Sequence, residues 1–106
     1  MIKPDVFLRR QANLYQRADI AFVGADSFVP GKGAFSVDEE SAALAAAIAR
    51  CADRKVVVID HGKLGAKGCC RILASKEIDC LVTDGGLDAK LRKALEREPF
   101  KLIVAT

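Results

Sequence analysis

Val56-Val57-Val58-Ile59-Asp60-His61-Gly62-Lys63-Leu64-Gly65 is the stretch of sequence that decides the fold. Its first four residues are all β-branched and apolar, which is typical of a strand covered on both faces of a sheet. The next six combine two glycines with an acid, an imidazole and a lysine, which is typical of a loop. Open α/β sheets bind ligands at the carboxyl ends of their strands, so this stretch predicts a binding site as well as a strand.

The same pattern occurs again later in the chain. Ile78 to Thr83 is a second apolar run, and it ends at Asp84-Gly85-Gly86. Two strands that end in an acid and glycines favour a site for a small polar molecule over a plain scaffold. The second turn also has a simpler interpretation, which we favour, as the turn that begins the last helix.

The first half of the chain predicts alternating elements. Pro4–Arg17 has the spacing of a helix, Ile20–Val23 is a short apolar strand, and the segment with Pro30 and two glycines predicts a loop. Ser36-Val37-Asp38-Glu39 has the pattern of a capping box. It predicts an alanine-rich helix that continues to about Arg54.

The second half of the chain continues this alternation. Lys67–Leu73 predicts a short helix, and a strand is predicted around Cys80–Val82. Asp88 is placed to cap a last helix that Pro99 stops, and Leu102–Ala105 predicts the final strand. Strands that alternate with helices predict an α/β fold: a three-layer arrangement around a mostly parallel, twisted sheet of about four strands with flanking helices.

Composition narrows the functional classes. The chain has 106 residues, 51% of them hydrophobic, which suits a single domain. Its net charge of +3 is dispersed, so no basic face for nucleic acid is predicted. Four cysteines without a Cys-x-x-Cys pair, no signal peptide in the first residues and no apolar run long enough to cross a membrane together predict a cytoplasmic protein.

Several landmarks occur together in a recognisable order over Ala18 to Thr106. They are Ala18-Asp19-Ile20-Ala21-Phe22-Val23-Gly24-Ala25, Gly33, Glu40, the Asp60 to Gly65 turn, and Ile78-Asp79-Cys80-Leu81-Val82-Thr83-Asp84. In these landmarks the chain resembles the carboxyl-terminal effector-sensing domain of the DeoR family of transcriptional repressors. The resemblance implies a fold related to ribose-5-phosphate isomerase A and the CoA-transferases, and a phosphorylated sugar or related metabolite as ligand.

The resemblance also has gaps. The family's winged helix-turn-helix and the first half of its sensor domain, with the phosphate loop, have no counterpart in residues 1–106, so the chain is interpreted as a partial sensor domain without direct contact to DNA. In the related fold, the strand equivalent to Ile20–Val23 lies inside the sheet, beside a strand from that first half. We therefore expect this strand to have an open edge, and the chain to form a homo-oligomer or to pair with a missing half.

Position and resemblance together give six candidate ligand-binding residues: Asp60, His61, Lys63, Asp26, Lys32 and Gly33. Asp60 and Lys63 are the leading pair, with the lysine for an anionic group and the acid for sugar hydroxyls. Simpler roles stay open for each: loop hydrogen bonds for Asp60, and a solvated surface position for His61 or Lys32. No catalytic residue, metal ligand or cofactor is predicted.

A sugar-phosphate isomerase, or its inactive remnant, is the alternative. Val23-Gly24-Ala25-Asp26, Lys32-Gly33, Glu39 and Asp60 to Lys63 resemble the carboxylates and lysines of ribose-5-phosphate isomerase A. General base catalysis at a sugar carbonyl needs a carboxylate aimed at the carbon acid. Val23 stands where the enzyme's motif begins with aspartate, so the resemblance favours a sensor over an enzyme.

Overall fold

The computed structural model describes residues 17–65 and 68–105, so the predicted helix Pro4–Arg17 lies outside the described residues except for its last one. The elements in chain order are β1 (Ala18–Gly24), β2 (Ser27–Val29), β3 (Gly33–Ser36), α1 (Glu39–Ala49), β4 (Ala52–Val58), β5 (Cys70–Ala74), β6 (Cys80–Asp84), α2 (Ala89–Glu96) and β7 (Lys101–Ala105). Single-turn 3-10 helices occur at His61–Lys63 and Ser75–Glu77. None of the described helices is both long and apolar enough to span a membrane.

The strands form two sheets. β1, β4, β6 and β7 lie side by side in that order, and all three pairings are parallel. The predicted α/β class, with a parallel sheet of about four strands and accompanying helices, is therefore confirmed, and it is compatible with the expected three-layer fold. β2, β3 and β5 form a separate antiparallel sheet that the sequence analysis did not predict.

One face of the parallel sheet carries the core. Val23, Val57 and Leu81 are in register across three strands, and all are at most 5% exposed. α1 joins this core through alanines, and their small side chains let it lie close to strands of both sheets. The strand order of this sheet follows the chain order, so each connection adds the next strand at the same end of the sheet.

The opposite face, here called the outer face, is apolar and partly open. Phe22 is 69% exposed, Val58 45% and Ile103 41%. Gly24, Val58, Val82 and Ile103 are in register across it. The prediction that Val56 to Ile59 is covered on both faces is therefore wrong at Val58, because that side chain points to the outer face, near the carboxyl ends of the strands.

Two local predictions failed because short segments pair in the small sheet. Lys67–Leu73 was predicted as a helix, but β5 is a strand whose backbone bonds to β3 and whose Ile72 and Leu73 are buried. A short apolar run does not distinguish the two states, and pairing with β3 decides in favour of the strand. The loop predicted around Pro30 is present only as the short turn from Pro30 to Lys32, because Gly33 already belongs to β3, which forms a hairpin with β2.

The ends of α1 also differ from the prediction. Asp38 is the N-cap, since its carboxylate accepts hydrogen bonds from the amides of Glu40 at 3.0 Å and Ser41 at 3.2 Å. Ser36 is not the cap, because its hydroxyl donates to Asp26 instead, at 3.2 Å. The helix ends at Ala49 rather than near Arg54, because β4 begins at Ala52 to pair with β1.

The prediction for the last helix is confirmed. Asp88 caps α2, and its carboxylate accepts a hydrogen bond from the amide of Leu91 at 2.7 Å. Leu95 is fully buried on the same helix.

Candidate functional site

Two acidic loop ends meet at the carboxyl edge of the parallel sheet. Asp60 comes two residues after β4, and Asp84 is the last residue of its neighbour β6. The amide of Ile59 donates to the carbonyl of Val82 at 3.0 Å, which extends the pairing of these strands up to the two acids. The parallel topology therefore places the Asp60 loop directly beside the Asp84 loop.

His61 joins the two loops. Its backbone amide donates to Asp84 Oδ1 at 3.0 Å, and its ring Nδ1 lies 2.6 Å from the same oxygen. Nδ1 is also 3.5 Å from Asp60 Oδ1. An ionised carboxylate can only accept, so the hydrogen bond to Asp84 puts the ring proton on Nδ1.

The environment of Asp84 favours its charged form. Partial burial acts to raise the pKa of this carboxyl, but the hydrogen bonds from the His61 amide and ring outweigh it, so the pKa lies below its usual value. Asp84 is thus an anion at neutral pH. Because the folded-state pKa is lowered, this interaction stabilises the fold above the ordinary carboxyl pKa and is lost as the pH falls through the folded-state value.

Gly86 provides room for the His61 ring. A Cβ atom at Gly86 would lie 2.5 Å from both Cε1 and Nε2 of the imidazole. At Gly85, by contrast, a Cβ atom would lie 3.6 Å from the carbonyl oxygen of Ala105, an ordinary contact. The second glycine of the Asp84 loop is therefore the one that the site requires.

Replacing Gly86 with alanine is expected to displace the His61 ring from Asp84. The pKa of Asp84 should then rise towards its ordinary value, because the carboxylate keeps the backbone hydrogen bond and loses the one from the ring. Carboxyl carbon NMR on labelled protein measures this directly, and His61 is the chain's only histidine, so its ring resonances are unambiguous. Gly85→Ala is the matched control, and an equal response to both substitutions would contradict the proposed role of Gly86.

The loop after His61 is fixed at both ends. At the 3-10 helix, the amide of Lys63 donates a hydrogen bond to the carbonyl of Asp60 at 2.9 Å. Leu64 is 8% exposed, and the amide of Gly65 donates to the carbonyl of Phe28 at 2.7 Å, which anchors the loop to β2. Lys63 itself is exposed, and within residues 17–65 and 68–105 its ammonium group has no ion-pair or hydrogen-bond partner.

A shallow cavity of about 270 Å³ opens beside these side chains. Its walls come from the ends of β4, β6 and β7, and its lining residues are Val58, Ile59, Asp60, Val82, Thr83, Asp84 and Ala105. The hydroxyl of Thr83, 3% exposed, has no hydrogen-bond partner within the described part of the chain. The lining of the cavity thus combines apolar side chains with the two acids Asp60 and Asp84.

Comparisons with known proteins agree with the family resemblance of the sequence. The family model of the DeoR C-terminal sensor domain matches residues 9–85. The chain belongs to this family. An HTH-type transcriptional regulator, GlpR, from Haloferax volcanii is 31% identical over 78 residues, which are 74% of this chain and 31% of that protein. The matched part of the chain thus spans about a third of the length of this relative.

The matched part of the DeoR sensor domain contains all six predicted site residues and Asp84, whereas α2 and β7 lie beyond it. Asp60, His61 and Lys63 are brought together on one loop, as their sequence positions require. Asp26 follows β1 at a position equivalent to that of Asp60 after β4. Its Oδ2, however, already accepts hydrogen bonds from the amide of Val37 and the hydroxyl of Ser36, at 3.0 and 3.2 Å.

Lys32 and Gly33 of this DeoR sensor domain lie in the β2–β3 hairpin. The amide of Gly31, next to Lys32, donates to Glu98, which precedes β7. The hairpin tip therefore lies near the amino end of β7, whereas Asp60 and Asp84 lie at the carboxyl ends of their strands. Gly33 is buried against the backbone of Leu73 and Ala74. Close packing against β5 explains why glycine occurs at position 33. A ligand contact for Lys32 or Gly33 stays a prediction.

Sequence analysis left Asp84 and Gly86 out of the site. The available signal was the repeat itself, since both apolar runs end in an acid with a glycine one or two residues later. Adjacent parallel strands place such repeats side by side, but the neighbour of a strand cannot be read from one sequence. The turn was therefore interpreted as the start of α2, a role that Asp88 fills as its cap.

Asp60, His61 and Asp84 could also be considered as metal ligands, since one donor atom of each lies within 4.8 Å of the others. Carboxylate oxygens and an imidazole nitrogen do suit divalent cations. In this sensor domain, however, the Nδ1 atom and the carboxylate oxygen nearest to each other already form a hydrogen bond. We therefore describe these three residues as a hydrogen-bonded group.

Proposed function

We propose that the chain is the effector-sensing part of a DeoR-type transcriptional regulator, and that it binds a phosphorylated sugar or a related small metabolite at the Asp60–Gly65 loop. The observation that supports this most directly is the meeting of two acidic loop ends at the carboxyl edge of the sheet, beside a lysine that has no partner among residues 17–65 and 68–105. Membership of the sensor-domain family supports the same class of function.

The charges of the candidate site fit a ligand that has an anionic group at one end and hydroxyl groups at the other. In the proposal, Lys63 contacts the anionic group, because it is exposed and no acid of the described part of the chain forms an ion pair with it. Asp60, whose side chain is 57% exposed, accepts hydrogen bonds from sugar hydroxyls. Asp84 positions the ring of His61 and holds it towards Asp60.

Lys63→Ala is expected to weaken binding of the effector. A hydrogen bond to a charged group is worth about 1.5–3 kcal/mol, which corresponds to a roughly ten- to hundredfold loss of affinity. The experiment is a thermal-shift screen and then calorimetric titration with glucose 6-phosphate, fructose 1-phosphate and ribose 5-phosphate. The unphosphorylated sugars and inorganic phosphate are tested in the same way, so that the contributions of the sugar and of the phosphate group to binding can be distinguished.

Lys76→Ala is the matched control for that experiment, since Lys76 is an exposed lysine in the other 3-10 helix. It should bind like the wild type. If both lysine variants bind a sugar phosphate equally well, the anionic group contacts another residue. If no phosphorylated compound stabilises the wild-type chain, the proposed ligand class is wrong.

We further propose that the chain acts without catalysing a reaction on its ligand. Val23, which replaces the first acid of the isomerase motif, is 5% exposed in the core row of the sheet. An apolar side chain there cannot act as a general base. Incubation with ribose 5-phosphate should therefore leave the substrate unchanged, and clear turnover would favour the isomerase alternative.

We also propose that DNA recognition does not involve α1 and α2. A helix-turn-helix joins its two helices by a turn of three or four residues. Here β4, β5 and β6 separate the two described helices. The readout of the sensor would then depend on protein outside these elements.

A further inference from the structure

Two adjacent cysteines lie where β5 begins, outside the candidate effector site. Cys69 is in the bend before the strand and is exposed, and Cys70 is the first residue of the strand and is half-buried. Neither forms a disulfide bond within the described part of the chain. Gly68 sets the course of the bend, because a Cβ atom there would overlap the side chain of Phe35. The bend that carries the cysteines is therefore packed directly against β3.

The two thiols interact with each other. Partial burial raises the pKa of the Cys70 thiol, and a side-chain hydrogen bond with Cys69 raises it further. The carboxylates of Asp38 and Glu39, at the amino end of α1, act in the same direction, because nearby negative charge opposes a thiolate. Cys70 is therefore a neutral thiol at neutral pH, with a second thiol beside it.

This arrangement fits neither a disulfide nor a zinc ion. The peptide bond between the cysteines is trans, which sets their Cα atoms about 3.8 Å apart, whereas most disulfides join Cα atoms about 4.4–6.8 Å apart. Zinc needs deprotonated thiols and further protein ligands. Among the described residues, the group of three side chains with donor atoms close enough for a metal ion is Asp60, His61 and Asp84, and it includes neither cysteine.

We propose that Cys69 and Cys70 form a dithiol site for compounds of trivalent arsenic. Arsenic in this state is a soft centre that prefers sulfur ligands, and it bonds to two sulfurs and one further group. Two neighbouring thiols thus supply every protein ligand that it needs. The arsenic atom lies between the sulfurs, so the ring that it closes avoids the short sulfur–sulfur bond of a disulfide. The exposed position of Cys69 leaves room for the third group on arsenic.

The reaction at this site needs no oxidant. Phenylarsine oxide in water carries two hydroxyl groups on arsenic, and two As–O bonds break as two As–S bonds form. Each thiol proton leaves with one hydroxide as water, so arsenic and both sulfurs keep their oxidation states. A neutral thiol such as Cys70 can therefore react, whereas a reagent that attacks only thiolates reacts slowly there.

The test is intact mass spectrometry of the reduced chain with an equimolar amount of phenylarsine oxide, together with a count of free thiols. The wild type should bind one phenylarsenic group and lose two of its four thiols. Cys69→Ser and Cys70→Ser should each raise the dissociation constant about a hundredfold or more, because a single thiol cannot form the second, intramolecular bond. Ethanedithiol should remove the group, and the same concentration of mercaptoethanol should leave it bound. Circular dichroism checks that the variants are folded.

Cys51→Ser is the matched control. Cys51 is half-buried, and its Sγ donates to the carbonyl of Ala47 at 3.4 Å, a hydrogen bond that a serine hydroxyl can also form. This variant should bind one phenylarsenic group like the wild type. Tight binding that survives in either Cys69→Ser or Cys70→Ser would overturn the proposal, and so would its loss in Cys51→Ser. A wild type that keeps all four thiols would overturn it as well.

Discussion

Gly33→Ala should cost the chain most of its stability. Gly33 has a φ of +133°, and a Cβ atom there would overlap the carbonyl oxygen of Leu73 and lie 2.9 Å from Cα of Ala74. These are backbone atoms of β5, so the clash cannot be relieved by turning a side chain. Strain and overpacking together give a loss of roughly 3–5 kcal/mol in the free energy of unfolding. Urea unfolding followed by circular dichroism measures this loss.

Gly31→Ala separates the two causes. Gly31 also has a positive φ, +81°, but a Cβ atom there would meet no other atom within 4 Å. This variant should lose only the conformational cost, about 1–2 kcal/mol. Equal losses for both variants would mean that β3 and β5 do not approach each other as closely as described.

Phe28→Ala should be nearly as damaging. Phe28 is fully buried, and its ring meets that of Phe100 edge to face, with centroids 5.5 Å apart. Removal of a buried phenylalanine ring typically costs about 3–5 kcal/mol. The carbonyl of the same residue holds Gly65, so the loop of the candidate site should loosen as well. Urea unfolding gives the first effect, and hydrogen exchange at the Gly65 amide gives the second.

Phe28→Leu is the control for the cavity. It retains an apolar side chain of moderate size and should cost less than about 1.5 kcal/mol, with exchange at Gly65 close to that of the wild type. If alanine and leucine give the same exchange rate at Gly65, the buried ring does not support the loop.

The parallel sheet could be predicted because each of its strands is a distinct apolar run with a capped helix or a glycine-containing loop beside it. Val56 to Ile59 and Ile78 to Thr83 are long enough to show their type, and Asp88 and Pro99 mark the last helix. The Asp60 to Lys63 part of the candidate site was predicted from the first of these runs. Each of these features depends on residues that are close together in the chain, so a single sequence was sufficient to predict them.

The small antiparallel sheet could not be predicted in the same way. β2 has three residues, β3 has four, and β5 has five. Strands this short owe their conformation to their partners, and the partner of β3 is β5, far along the chain. The pairing of His61 with Asp84 was missed for the same reason, since it depends on which strand lies beside β4.

The order of the strands in the parallel sheet also has a consequence for folding during synthesis. β1, β4, β6 and β7 lie side by side in the order in which the ribosome makes them. The sheet can therefore grow from one end, because no later strand has to enter between two that are already paired. Chains fold from the amino end as they emerge. Among the described strands, growth of the sheet then runs in one direction, from β1 to β7, and each new strand is added beside the one made before it.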